Sequence, residues 1–303
     1  MIIAYDTPGQ LGNQLWAYSN LIAVAKEYNV SVIIIFQQNY FKLLDAGALQ
    51  IAKRNGVYVL DAGSYKARII RKLSDVFLKN NNGFLAKGLP VTVVEDGSTA
   101  LQKIIKKSRQ RLYIVNAWEQ RIHTSSFLKE NDFIRSVILP EADSRKKAAE
   151  RIELLRQKFH VIVAVHIRRG DYKTFLDGTY YFEDDVYLHK MEQINHLLAP
   201  TKVVFAIFSN EKIDIKNFTT INASFSNDNT PIGDMWGISL CDFIIGPLST
   251  FSMWASFLKK VPLHFIKKNT EIKTMDIFSP VIAQDLQKSG AVTSNELKKF
   301  LFK

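Results

Sequence analysis

Two arginines at the exit of an apolar run are the most chemically loaded feature of this 303-residue sequence. In His166-Ile-Arg168-Arg169-Gly-Asp171 they follow Val161 to Val165, which reads as a buried strand and would bring their guanidiniums out at a sheet edge. A guanidinium offers a planar fork of N–H donors that matches phosphate oxygens, and it keeps its charge at any accessible pH. Gly170 permits a tight turn, and Asp171 can orient an arginine or accept a proton. The competing reading is a surface turn whose arginines pair with nearby acids. An adhesion-type Arg-Gly-Asp loop fits poorly, because these residues abut a strand rather than a long loop tip.

Two further segments suit the same ligand. Gly9-Gln-Leu-Gly12-Asn13-Gln14 lies between a strand and a helix, where small residues admit a ligand to the backbone and a helix N-terminus favours negative charge. It is neither a dinucleotide-binding fingerprint nor a P-loop, and a plain βα turn would use similar glycines. Gly246-Pro-Leu-Ser249-Thr250-Phe251-Ser252 again runs strand, turn, helix. Its hydroxyls and N–H groups could cradle phosphate, or Ser249 could simply cap the helix. All three fall at the carboxyl ends of strands, where open α/β sheets bind their ligands. Together they indicate a diphosphate held by arginines in a cleft between two domains.

No Asp-x-Asp occurs, and the closest acidic cluster is Glu183-Asp184-Asp185. None of the six histidines stands at the i, i+4 spacing of a zinc-binding helix. No metal ligand set is read from the sequence. A metal-chelated nucleotide sugar and a kinase are both disfavoured.

The elements that must position these residues follow from hydrophobic periodicity. Ile2 to Tyr5 and Ser31 to Phe36 read as buried strands flanking a helix marked by Leu15, Tyr18, Ile22 and Ala25. In the second half, Val161 to Ile167, Val203 to Phe208 and Phe243 to Gly246 read as strands. Helices are expected over 186–198, 234–241 and about 252–258. Alternating β and α elements imply parallel sheets. The fold class is therefore α/β, with two Rossmann-like domains facing a cleft. The polar stretch 140–158 marks the boundary, dividing the chain into domains at 1–150 and 151–275. Residues 276–303 are expected as a helical tail packing back on the first domain.

Composition bounds the rest. An apolar fraction of 47% and a charged fraction of 23% describe an ordinary globular chain. The formal charge of +11 favours polyanionic partners. Eleven basic residues stand against three acidic ones between Lys66 and Arg111. Within that stretch Ile69, Ile70, Leu73, Val76 and Phe77 form an apolar stripe on a basic helix. Such a helix could lie on an anionic membrane, or pack its apolar side on the first domain with its cations solvated. Cys241 is the single cysteine, so no disulfide forms within the chain, and a core position is expected for it. Trp236 and Trp254 read as packing residues. Tyr180 and Tyr181 could stack on a sugar or pack under the arginine loop. With no apolar run near 20 residues and no basic segment before Asp6, the expected location is cytoplasmic, with peripheral attachment to the inner membrane face as an option.

The motifs resemble glycosyltransferase family 11, which includes α-1,2-fucosyltransferases. The resemblance rests on Gly9-x-x-Gly12-Asn13-Gln14, His166-x-Arg168-Arg169-x-Asp171, Phe208-Ser209-Asn210, and Asp234-Met235 through Ser249-Thr-Phe-Ser252-Met-Trp254. The stretch from Trp118 to Arg135 is also similar, and the order is collinear from about residue 5 to 260. It implies a GT-B fold, GDP-fucose as donor, a glycan acceptor such as a galactoside, no required metal or other cofactor, and inversion at the anomeric carbon. Carried onto this chain, it places Arg168 on the pyrophosphate, with His166, Arg169 and Asp171 completing the catalytic site. Gly12 and Asn13 would face the donor from the first domain. Ser249, Thr250, Phe251 and Ser252 would hold the phosphates, and Asp228 would serve the nucleotide end. Departures occur at Pro247-Leu-Ser-Thr-Phe-Ser-Met-Trp254 and at Phe208-Ser-Asn-Glu211, which bear on the acceptor and the donor sugar. The alternatives are a GT-B transferase using another nucleotide sugar, or a basic protein binding nucleic acid or a membrane surface. Nucleic acid is disfavoured, since no aromatic-studded basic strand of the RNA-reading type occurs.

Overall fold

The computed structural model describes residues 1–79, 90–94, 98–107, 111–120, 125–226, 230–285 and 290–291. Asp228, Lys87, Arg109 and most of the expected C-terminal tail lie outside the described residues. The chain divides into two compact units, one holding Met1–Glu141 and the short stretch from Ala283, the other Ala142–Ile282.

The first unit runs β1 (Ile2–Ala4), α1 (Leu11–Glu27), β2 (Val32–Phe36), α2 (Gln38–Phe41), α3 (Ala46–Arg54), β3 (Val57–Asp61), α4 (Tyr65–Lys79), β4 (Val91–Val94), α5 (Ser98–Lys107), β5 (Leu112–Val115), α6 (Ser125–Lys129) and α7 (Asn131–Val137). Its five strands form a parallel sheet in the order β3-β2-β1-β5-β4. β1 sits at the centre, with Ile2 opposite both Val32 and Tyr113. Strands covered on both faces become continuous apolar runs, which is why β1 and β2 are legible from sequence. Leu15, Tyr18, Ile22 and Ala25 mark only one face of α1. Yet the helix is buried on nearly every side from Leu11 to Ala25, because α5, α6 and α7 also pack against it.

The second unit runs α8 (Ala142–Arg156), β6 (Val161–Ile167), α9 (Asp184–Leu197), β7 (Val203–Ser209), β8 (Ala223–Phe225), α10 (Pro231–Ser239), β9 (Phe243–Gly246), α11 (Thr250–Lys259), β10 (Pro262–Phe265) and β11 (Ser279–Pro280). The sheet order is β11-β10-β9-β6-β7-β8, parallel except for β11. Both units are thus α/β layers on parallel sheets, the fold class read from the sequence. Val163, Val165, Ile167, Phe205 and Ile207 form the centre of the second core.

Two expectations need correction. The polar stretch 140–158 is no loose linker: residues 142–156 form α8, which buries Ala148 and Ile152 and packs on α10 of the second unit. Residues 142–150, assigned to the first domain by their polarity, therefore group with the second unit. A helix with so narrow an apolar stripe looks like a solvated connector in sequence. The start of the expected helical tail is extended, because Ser279–Pro280 adds an antiparallel edge strand to β10. Proline is tolerated there because an edge strand leaves one side of its backbone without a ladder partner. Beyond it, β12 (Gln284–Asp285) pairs with β13 (Gly290–Ala291).

Candidate active site

The register of the second sheet decides which loops meet. β6 lies between β7 and β9, with Ile167 opposite Ser209 and Val165 opposite Ile245. The residues that follow each strand emerge together at one sheet edge: the His166 block, Asn210, and the turn from Gly246 to Ser252. Asn210 bridges the first two loops, its Oδ1 accepting from the Arg169 backbone N–H at 2.8 Å. Tyr172 links the first and third, its hydroxyl donating to the Leu248 carbonyl at 2.8 Å. Gly170 turns the chain at φ +63, in the left-handed region that favours glycine.

The two arginines are held differently. Arg168 forms an ion pair with Asp171 at 2.7 Å and lies over the Tyr172 ring at 5.6 Å, with 18% of its side chain still exposed. The Arg169 side chain is comparably covered, at 13% exposed. Arg169 is ion-paired with Asp184, in the first turn of α9, and lies 6.0 Å from the Tyr181 ring. The Asn217 amide donates to the second Asp184 oxygen at 2.7 Å. Asp184 belongs to the acidic cluster considered above for metal, and here its carboxylate serves an arginine. Among the described residues no group of three or more His, Cys, Asp or Glu side chains could hold a metal ion.

His166 is buried, its ring stacked on Phe251 with centroids 5.0 Å apart. Burial, and secondarily the Arg168 charge, push its pKa down to about 3. It is therefore neutral at physiological pH. Its visible work is to seat Phe251 beside the arginine strand. The same shift makes a prediction. The folded pKa lies below the unfolded value, so the stabilisation is complete above about pH 6.5 and falls as pH drops toward 3. At pH 5 the loss from this group alone is about 2 kcal/mol. Urea unfolding between pH 7.5 and 5 should show this loss, and His166→Phe should remove that share of the slope.

In the turn from Gly246 the serines build the start of α11. Ser249 caps α11, its hydroxyl accepting from the Phe251 N–H at 3.2 Å. Ser252 is fully buried, and its hydroxyl donates to the Ser249 carbonyl at 3.2 Å. Both hydroxyls are occupied in building the helix start, the ordinary fate of serine at such positions. Thr250 and Phe251 follow Ser249 in the same turn.

Gly12 and Asn13 lie in the first unit, at the start of α1 beyond β1. Gly9 has φ +55, and a Cβ there would come within 2.6 Å of Asn13 Nδ2. The Gln14 and Gln37 amides both donate to the Gly9 carbonyl, at 2.9 and 3.1 Å, so this turn is rigidly built. Cys241 is buried, and its thiol pKa is pushed up to about 12, chiefly by burial. It is the inert core residue that its apolar setting implied.

Residues 104–272 match the family described as Glycosyl transferase family 11. The chain belongs to that family. No curated protein sequence matches it. Solved structures similar to it include POFUT1 in complex with GDP-fucose, at 11% identity and TM-score 0.56, covering 88% of this chain and 96% of that one. Arabidopsis thaliana FUT1 in complex with GDP, a point mutant, is 9% identical at TM-score 0.56, with 98% and 79% covered. NodZ α-1,6-fucosyltransferase soaked with GDP-fucose is 15% identical at TM-score 0.51, with 86% and 93% covered. At these identities the likeness is one of fold, and this family 11 chain has the GT-B-like fold of those fucosyltransferases.

Asp184, Asn210, Asn217 and Tyr172 were not singled out as site residues by sequence. The available signal was the Arg-Arg doublet itself: two partly buried cations require counter-ions, and an acid at a nearby helix start is the natural source. Asp184→Ala should lower stability by about 2–3 kcal/mol, since it strands Arg169 with little water around it. Thermal melts of the variant check this, and transfer should weaken as the Arg169 loop loosens.

Proposed function

We propose that this family 11 chain transfers fucose from GDP-fucose to a hydroxyl of a glycan or surface polysaccharide, with a galactoside O2 as acceptor and inversion at the anomeric carbon. The observation that carries the reading is the pair of arginines held at the end of β6. Arg168 is held by Asp171 and Tyr172 and Arg169 by Asp184, with 18% and 13% of their side chains exposed. That is the arrangement a departing diphosphate needs, a preorganised cation aimed at charge that develops as the bond breaks. Family membership and the GDP-fucose complexes among its structural neighbours support the choice of donor.

In the proposed step the acceptor oxygen bonds to the anomeric carbon as the bond from that carbon to the β-phosphate oxygen breaks. The acceptor proton passes to solvent water, and the electron pair goes to the β-phosphate, facing Arg168. Asp171 keeps the guanidinium in position through its 2.7 Å ion pair. His166, neutral and stacked on Phe251, shapes the floor of the site. The proposal includes no resident metal, because the charge on the leaving group is met by arginine.

The test is transfer from GDP-fucose, other GDP-sugars and UDP-sugars to a set of galactoside acceptors, with and without a chelator, with the product anomer read by NMR. Chelator-insensitive fucosyl transfer with an α-linked product is expected. Preference for a UDP-sugar, or loss of activity on chelation, would overturn the corresponding part of the reading.

A further inference from the structure

On the basic helix singled out in the sequence, Ile69, Leu73 and Val76 of the apolar stripe face the solvent, while Ile70 and Phe77 are half-buried. In α4 the side facing the first unit carries Ala67 and Ser74, both buried, with Ile70, Arg71, Phe77 and Leu78 half-buried. On the opposite side Tyr65 is 71% exposed, Ile69 39%, Leu73 55% and Val76 43%. These positions recur at i, i+4, i+8 and i+11, and so form one continuous stripe along the helix. Of the stripe read from sequence, Ile70 and Phe77 thus lie toward the first unit and Ile69, Leu73 and Val76 face out. α5 has a similar composition and does the opposite, burying Leu101 and Ile105 while Lys103, Lys106 and Lys107 face out.

The charges frame the stripe. At 100° per residue, Lys66 flanks it on one side, and Arg68, Lys72 and Lys79 lie along the other. All four are exposed, and Asp75 is the only carboxylate of the helix. An apolar line bordered by long cationic side chains is the pattern of a helix lying in the plane of a lipid interface. There the alkyl stems and apolar groups enter the headgroup boundary and the cations meet anionic headgroups. At 15 residues, α4 is too short to span a bilayer, and no helix among the described residues is long and apolar enough to cross one.

We propose that α4 docks this family 11 chain on an anionic lipid surface, with Tyr65, Ile69, Leu73 and Val76 entering the interface and Lys66, Arg68, Lys72 and Lys79 pairing with headgroups. The proposal is independent of the sugar transferred, and its test involves no sugar transfer. The full chain is sedimented with vesicles of phosphatidylcholine, with and without phosphatidylserine, at low and high salt. Binding is expected only with phosphatidylserine and should weaken with salt. Replacing Lys66, Lys72 and Lys79 by glutamine should lower the partition coefficient about fivefold per charge. The double variant Ile69→Ser/Leu73→Ser keeps every charge and should lower it roughly tenfold. Its folding is checked by thermal melting, since both positions are exposed. Three results would overturn the proposal: no binding to phosphatidylserine vesicles at low salt, equal binding to neutral vesicles, or full binding by the serine double variant. A lipid-free dimer dispersed by that variant would overturn it as well, since a second copy would then be what covers the stripe.

Discussion

Arg168→Ala is expected to lower glycosyl transfer by on the order of 10² to 10³ or more while leaving the fold intact, because on the proposed mechanism it removes a preorganised cation that meets the leaving group's charge. The fold should survive because Arg168 is an edge residue with part of its side chain in water, and its ion pair with Asp171 spans only one turn of loop. Circular dichroism and a melting curve close to those of the parent would show this. Arg168→Lys keeps the charge but loses the planar fork, so it should recover only a fraction of the activity. Asp171→Asn separates holding from chemistry. If Asp171 only orients Arg168, the loss should be smaller than for Arg168→Ala, and the pH profile should keep its shape. Arg168→Ala with near-normal turnover would remove the site from the second unit altogether.

The second large effect is expected at Gly246, the last residue of β9. A Cβ there would stand 2.8 Å from the His166 carbonyl oxygen and 3.1 Å from the His166 Cβ. The carbonyl belongs to the backbone of the neighbouring central strand and cannot swing aside. Gly246→Ala should therefore push β9 away from β6 exactly where Arg168 is aimed, costing about 1–3 kcal/mol of stability. Activity should fall further than stability alone explains, since a displacement near 1 Å can cost about 10²-fold in rate. Urea unfolding and initial rates measured on the same preparation separate the two. Gly246→Ala with parental stability and rate would show that the strands are free to part.

The pattern of apolar runs made much of the second unit legible. β6, β7 and β9 are covered on both faces, so each is a continuous run of Val, Ile and Phe, and β6 and β9 match their expected limits. The shorter strands β3, β4, β5, β8 and β10 were missed. They carry mixed burial patterns or short runs, and a four-residue apolar stretch alone does not separate strand from helix. α8 lies in the stretch read only as a polar boundary, because Ala148 and Ile152 are its only buried residues.

What the sequence by itself determined is the chemistry on offer: a guanidinium pair at a strand exit, glycine turns at strand ends, no disulfide within the chain, and an apolar stripe inside a basic helix. These depend on residue type and on spacing over a few positions, where the periods of helix and strand already place side chains on faces. The tertiary structure alone decided which groups hold the second arginine and its loop. The acid at position 184 and the amide at position 210 reach the doublet only through the packing of α9 and β7 beside β6. It also decided that Ser252 faces inward and that Ile69, Leu73 and Val76 of α4 face outward. Orientation of this kind is set by which neighbouring element covers a face, and a linear pattern cannot say which of two faces that will be.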